Sequence, residues 1–263
     1  VAGPQVGDDL ELTFTDGVAH IALNRPDKLN AMTRTIQNSF IECIKWAGVA
    51  PEVRAVLISG KGRMFCSGDD LDGLGSLHGA GPSPLTECVE GPGPLLSRLI
   101  ALRKPVVCAV QGGAYVAGLD LALACDFRVA SAGTKLGPIS ASLGGAGGMA
   151  LLTLYVPIAT ARRILFEARP IGGEEALKLG LVDELVETDA ILDRAMEIAK
   201  KYAVGPTLAY GAIKSSLLSM IGVSPLQALH MEQDYSLTGY GTHDYEEALK
   251  AWQEKRPPQF LGR

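Results

Sequence analysis

Glycine placement constrains this chain more than any other feature of its sequence. Two segments, FCSGDDL (65–71) and QGGAYVAGLD (111–120), each follow an apolar strand-like run and lead toward a helical one. Such a junction aims exposed backbone N–H groups at one point, and two of them can hold a carbonyl oxygen while negative charge builds on it. Asp120 closes the second segment and sets a carboxylate beside those donors. The order strand, glycine turn, helix, strand occurs twice, which predicts stacked β-β-α units with parallel strands and an α/β fold. The pattern points to an enzyme.

The rest of the chain fits that frame. Leu10–Thr15 and Val18–Asn24 flank Asp16-Gly17, a strong hairpin signal. Thr33 is placed to cap a helix with Ile36, Phe40 and Ile44 on one face, and Ala55–Ile58 reads as a buried strand. Residues 73–94, rich in glycine and proline, predict a surface loop before a helix over Leu95–Leu102. A strand over Val106–Val110, a helix over Leu121–Ala124 and a strand over Phe127–Ala130 come next. Gly137–Gly148 reads as a loop, Met149–Ala168 as helices, and Leu181–Val186 as a strand after a short helix from Gly173. From Ile191 onward only helices are predicted: Ile191–Tyr202, Thr207–Met220, Leu226–Leu237 and Tyr245–Lys255. The expected organisation is a core over residues 1–200 and a helical region over 201–263, whose apolar faces need the core or a second subunit to cover them.

Composition excludes several classes. No apolar run in the 263 residues approaches the ~20 that a membrane helix needs, and residues 1–9 lack the features of a secretory signal. A net charge of −5 argues against a nucleic-acid surface. Cys43, Cys66, Cys88, Cys108 and Cys125 form no C-x-x-C pair, and the four histidines lack metal-ligand spacing, so no metal is expected and a reducing, cytoplasmic compartment is the simplest reading.

Several motifs together resemble the enoyl-CoA hydratase/isomerase (crotonase) family: NRPDKLNA (24–31), GRMFCSGDDL (62–71), KPV (104–106), AGLD (117–120), CDFR (125–128), ALKLGLVD (176–183) and KRPPQF (255–260). They occur in the family's order over nearly the whole chain. The resemblance implies a spiral of β-β-α units, a helical C-terminal trimerisation region, a homotrimer or dimer of trimers, and an acyl-CoA thioester as substrate, with coenzyme A entering only as part of that substrate. By motif position, the N–H groups of Asp69 and Ala117 would form an oxyanion hole, with the Asp69 side chain facing elsewhere. Asp120 would carry the proton. Arg25, Lys28, Ala31, Ser67, Gly68, Asp70 and Leu71 fall where the family contacts coenzyme A, and Lys250, Lys255 and Arg256 are looser candidates for its phosphates. Where the family carries a second acid, this chain has Ser140, or Ile139 under a different gap. Glu87, Glu90 and His78 in the preceding loop are candidates to replace it.

Hydration of a conjugated double bond usually employs two carboxylates, one to activate water and one to protonate carbon. Double-bond migration can run on one, and decarboxylation needs less still. A single Asp120 therefore favours an isomerase or related lyase step over efficient hydration. The plainer reading of Asp120 is a carboxylate at a helix start, and that of Ser140 a hydroxyl bonded to local backbone. Rival functions are an acyl-CoA binder without catalysis, and an enzyme, for example a decarboxylase, that takes a carrier-protein thioester. GAGGMA (145–150) formally fits a dinucleotide fingerprint, but 137–143 is a poor strand, and Ser140 is in no G-x-S-x-G elbow.

Overall fold

In the computed structural model, residues 3–70 and 93–263 are described. Leu10–Thr15 (β1) and Val18–Leu23 (β2) form the hairpin expected from Asp16-Gly17, in register from Leu10–Leu23 to Thr15–Val18. Ala55–Gly60 (β3) and Val106–Ala109 (β4) then add in parallel. Gly113–Tyr115 (β5) leaves for a second sheet. Phe127–Ala130 (β6) returns beside β4, Lys135–Gly137 (β7) pairs with β5, and Ile171–Gly172 (β8) with β7. Glu184–Leu185 (β9) ends the large sheet, whose order is β1-β2-β3-β4-β6-β9. Twice, at β4–β5 and at β6–β7, the chain gives one strand to the large sheet and the next to the small sheet before it enters a helix.

The central parallel strands β3 and β4 are buried on both faces, as parallel strands in such a sheet must be. Val56, Ile58, Val106 and Cys108 point into the main core, while Ala55, Leu57, Val107 and Ala109 point the other way. The main core is capped by Arg34–Val49 (α1), whose N-cap Thr33 accepts from the Ile36 N–H, and by Gly93–Ala101 (α2) through Leu95 and Leu99. The opposite face is covered by Ile191–Ala203 (α7), which buries Ile191, Ala195, Ile198 and Ala199 on Leu57 and Val107. Helix α7 therefore belongs to the core.

Between these lie Ala117–Leu123 (α3), Met149–Tyr155 (α4), Ile158–Glu167 (α5) and Gly173–Lys178 (α6). Thr207–Ser219 (α8), Pro225–Leu237 (α9) and His243–Glu254 (α10) complete the chain. Helix α9 starts with a complete capping box, Ser224 with Gln227, yet buries none of its residues. No helix among the described residues is long and apolar enough to cross a membrane.

Three expectations need correction. The small sheet was invisible to periodicity, since its strands have two or three residues. Helix α3 starts at Ala117 rather than Leu121, so Asp120 lies within its first turn. The predicted strand over Leu181–Val186 is only Glu184–Leu185.

Candidate active site

The small sheet sets the geometry of the site. Cys66 pairs in parallel with Ala114 of β5, and Ala114 with Leu136 of β7. Three residues beyond Cys66 and Ala114 come Asp69 and Ala117, and four beyond Leu136 comes Ser140. Three loops thus leave neighbouring parallel strands at their carboxyl ends, where α/β sheets commonly place ligands.

The first two loops are locked together. Gly68 has φ +105°, and a Cβ there would stand 2.9 Å from the Tyr115 carbonyl oxygen and 3.6 Å from the Ala117 nitrogen. Only glycine lets the backbones approach so closely at that angle. Opposite it, Val116 has φ 48° and ψ −115° as N-cap of α3. A β-branched residue at positive φ stores strain, and such residues gather at functional sites. Val116 is held there because its N–H donates to the Gly137 carbonyl (3.0 Å) while the Tyr115 N–H donates to that of Cys66 (3.0 Å). Gly118 lets α3 sit against Cys66, where a Cβ would come within 2.9 Å of the sulfur.

That lock leaves two donors uncommitted to any neighbour, although the Asp69 N–H bonds its own carboxylate. The Asp69 and Ala117 N–H groups donate to no other residue among those described, although their neighbours are committed: the Asp70 N–H to the Met32 carbonyl (3.0 Å) and the Asp120 N–H to that of Val116 (3.1 Å). Two N–H groups on touching loops, neither committed to another described residue, are what an oxyanion needs.

Asp120 sits in the first turn of α3, half-buried, and its pKa is raised to about 6, first by burial and then by the Asp69 carboxylate. Burial also raises Asp69, whose Oδ1 accepts from the Gln37 amide of α1 at 3.4 Å. The Asp69 side chain thus meets α1, and its charge is still felt at Asp120. Neither carboxylate has an ion-pair partner among the described residues.

Ser140 opens the 3₁₀ turn Ser140–Leu143, and its carbonyl accepts from the Gly145 N–H at 2.9 Å. Its hydroxyl, expected to bond local backbone, is buried and has no hydrogen-bond partner in the chain among the described residues. Ile139 is the N-cap of that turn.

The residues expected around coenzyme A are stitched into one edge. Arg25 donates to Asp70 (2.8 Å) and to the Ala31 carbonyl (2.9 Å), and the Ser67 N–H donates to the carbonyl of Leu29 (3.0 Å). Lys28 is exposed on the adjacent 3₁₀ turn, Pro26–Lys28, and Gly68 is buried, its carbonyl accepting from the Met32 N–H at 2.8 Å. Arg25 thereby anchors the donor loop through Asp70, which does the loop-fixing work expected of it. Arg256 is paired with Glu247 and Glu254. Leu71, Glu87, Glu90 and His78 lie outside the described residues.

Two contributors escaped sequence reading. Gln37 carried a signal, a polar residue beside the apolar face made by Ile36 and Phe40. Val116 carried none, because its φ is imposed by the strands on either side.

Comparison with known proteins identifies the family and the fold. The chain matches the Enoyl-CoA hydratase/isomerase family over residues 13–263. It is 33% identical over 252 residues to a 1,2-epoxyphenylacetyl-CoA isomerase of Escherichia coli K12, covering 94% of this chain and 96% of that protein. It is also 33% identical over 264 residues to an (E)-benzylidenesuccinyl-CoA hydratase of Thauera aromatica, covering 95% and 98%. The crystal structure of an enoyl-CoA hydratase from Polaromonas sp. JS666 superimposes with a TM-score of 0.91 at 28% identity, over 95% of this chain and 99% of that one. The chain belongs to the enoyl-CoA hydratase/isomerase, or crotonase, family, and its α/β spiral with a C-terminal helical bundle is that family's architecture.

Proposed function

We propose that this enzyme binds an acyl-CoA thioester, holds the thioester oxygen between the Asp69 and Ala117 N–H groups, and uses Asp120 to move a proton along the acyl chain. The observation that carries this reading is the pair of N–H groups, committed to no other described residue, beside the half-buried Asp120, whose proton affinity lies near neutrality. Asp120, ionised, removes a proton from a carbon conjugated with the carbonyl. The electron pair flows into the C–O bond as an enolate, and the two N–H groups carry the charge. Asp120, its proton exchanged with solvent, then protonates a second carbon, which shifts the double bond and regenerates its carboxylate. Loss of one such donor typically costs about 3 kcal/mol in the barrier, so the pair supplies a large share of the catalysis.

Isomerisation fits better than efficient hydration. With a hydroxyl at Ser140 where the family resemblance puts a second acid, no described side chain there can deprotonate water. The related names include both an isomerase and a hydratase, so the arrangement of this chain's own residues decides the preference. The test is mass spectrometry of 2-enoyl-, 3-enoyl- and dienoyl-CoA esters incubated with the protein in D2O. A double-bond shift with one deuterium at C2 or C4 is expected. Rapid gain of D2O across the 2-enoyl ester, with no shift, would establish a hydratase instead.

The same reading extends to assembly as a homotrimer or a dimer of trimers through residues 201–263. Leu226, Leu229 and Leu237 of α9 and Ile213 and Leu217 of α8 are exposed apolar residues that a second copy would cover. Light scattering on the eluted protein should give three or six chains, and a monomer would refute it.

A further inference from the structure

Ser140 poses a problem of its own. The residue is only 7% exposed, and its Oγ has no partner in the chain among the described residues. Buried polar groups are almost always hydrogen-bonded, and a lone one costs about 1–3 kcal/mol. Other orphans have plainer settings: Arg128 Nε belongs to a guanidinium already paired with Asp183 at 2.8 Å, and Trp46 Nε1 lies on a ring that stacks edge-on with Phe14. Ser140 has no such setting.

Its surroundings point at Asp120. A Cβ on Gly147 would stand 3.2 Å from Ser140 Oγ, and one on Gly148 would stand 3.8 Å from Asp120 Oδ1. Consecutive glycines thus face the two oxygens, and no described side chain comes between the glycine backbone and either of them. The strand register adds to this, since Ser140 leaves β7 beside the loop that carries Ala117 and Asp120. The electrostatics select the ligand. Among the described residues only burial and Asp69 raise Asp120 and no lysine or arginine offsets it, and residues 71–92 contain no lysine or arginine. A second carboxylate on the substrate would meet the Asp120 acid there with no described cation to offset it.

We propose that the Ser140 hydroxyl and the Gly147–Gly148 backbone, facing Asp120, form a subsite for an uncharged oxygen carried by the acyl group near its third carbon. The oxygen, in a hydroxyl, ether or carbonyl, accepts the bond that Ser140 otherwise leaves unmade. This deepens the thioester reading and rests on it.

The test uses three coenzyme A esters titrated calorimetrically into the wild type and Ser140→Ala. Methoxyacetyl-CoA is an isostere of butyryl-CoA with oxygen at position three, and neither can isomerise or hydrate; succinyl-CoA adds a charge. The wild type should prefer methoxyacetyl- to butyryl-CoA by roughly three- to tenfold, one net hydrogen bond, and bind succinyl-CoA weakest. Ser140→Ala should erase that preference, leave butyryl-CoA binding within about twofold and raise the melting temperature, since it removes an unpartnered hydroxyl. Equal wild-type binding of the two neutral esters, a preference that survives the substitution, or a lower melting temperature in Ser140→Ala would each overturn the subsite alone. If none of the three esters binds the wild type, the thioester reading falls and the subsite with it.

Discussion

Asp120 lies between two glycine-rich stretches that are built in opposite ways. In the first, around residues 111–118 and at Gly68, glycine is demanded by packing: side chains at Gly68, Gly113 and Gly118 would meet carbonyl oxygens or sulfur within 3 Å. In the second, a Cβ added at Gly144 would meet nothing within 4 Å, and one at Gly145 would find the Ser140 carbonyl oxygen no closer than 3.5 Å. One stretch is rigid and aims donors; the other keeps space beside Ser140 and Asp120. The difference teaches that the same residue type serves the transition state on one side of the acid and the substrate's shape on the other.

Substitutions can break or sharpen that contrast. Asp120→Asn should lower kcat by about 10³-fold or more, within the range for loss of a general acid–base, while butyryl-CoA binding changes by less than about threefold. Stopped turnover with lost binding would instead make Asp120 structural. Gly68→Ala comes next. Its new methyl drives the donor loops apart, and a loss of about 10²- to 10³-fold in kcat is expected from a displaced oxyanion donor. Gly118→Ala should read out in stability, with about 1–3 kcal/mol lost in urea unfolding from overpacking against Cys66.

The pH dependence carries its own sign. Asp120 is raised from its ordinary value to about 6, so the native state binds its proton more tightly than the unfolded chain does. Its contribution to stability is full below the unfolded value near 4 and is lost as pH rises through about 6. Asp120→Asn should therefore be more stable than the wild type above pH 6, by on the order of 2 kcal/mol, with the gap closing below pH 4. Turnover that begins with proton removal should rise through the same region. Gly145→Ala marks the small end, with kcat and stability within about twofold and 0.5 kcal/mol, as for surface changes away from special features. A collapse at Gly145 as large as at Gly68 would erase the distinction between the two stretches.

Much of this was legible in the sequence because it rests on local rules. The Asp16-Gly17 hairpin, the Thr33 cap and the Ser224-Pro225 helix start each follow from two or three residues. The doubly buried strands β3 and β4 announce themselves as unbroken apolar runs. Asp69, Ala117 and Asp120 came from glycine patterning and family motifs, and the structure puts them on touching loops. What stayed hidden depends on contacts distant in the chain. The small sheet has strands too short to show a period, and Val116 takes a positive φ only because Cys66 and Gly137 bond the residues beside it. The empty hydroxyl of Ser140 and the pull of Asp69 on Asp120 are likewise facts of three-dimensional placement.

The central claim is that Asp120 and the two N–H groups make an enolate, and deuterium exchange at C2 of butyryl-CoA tests it most directly. That ester can neither hydrate nor isomerise, so exchange in D2O reports proton removal and return alone. The wild type should wash deuterium into C2 and Asp120→Asn should not, with both binding the ester. A wild type that binds butyryl-CoA without exchange, or an Asp120→Asn that exchanges equally fast, would contradict the account.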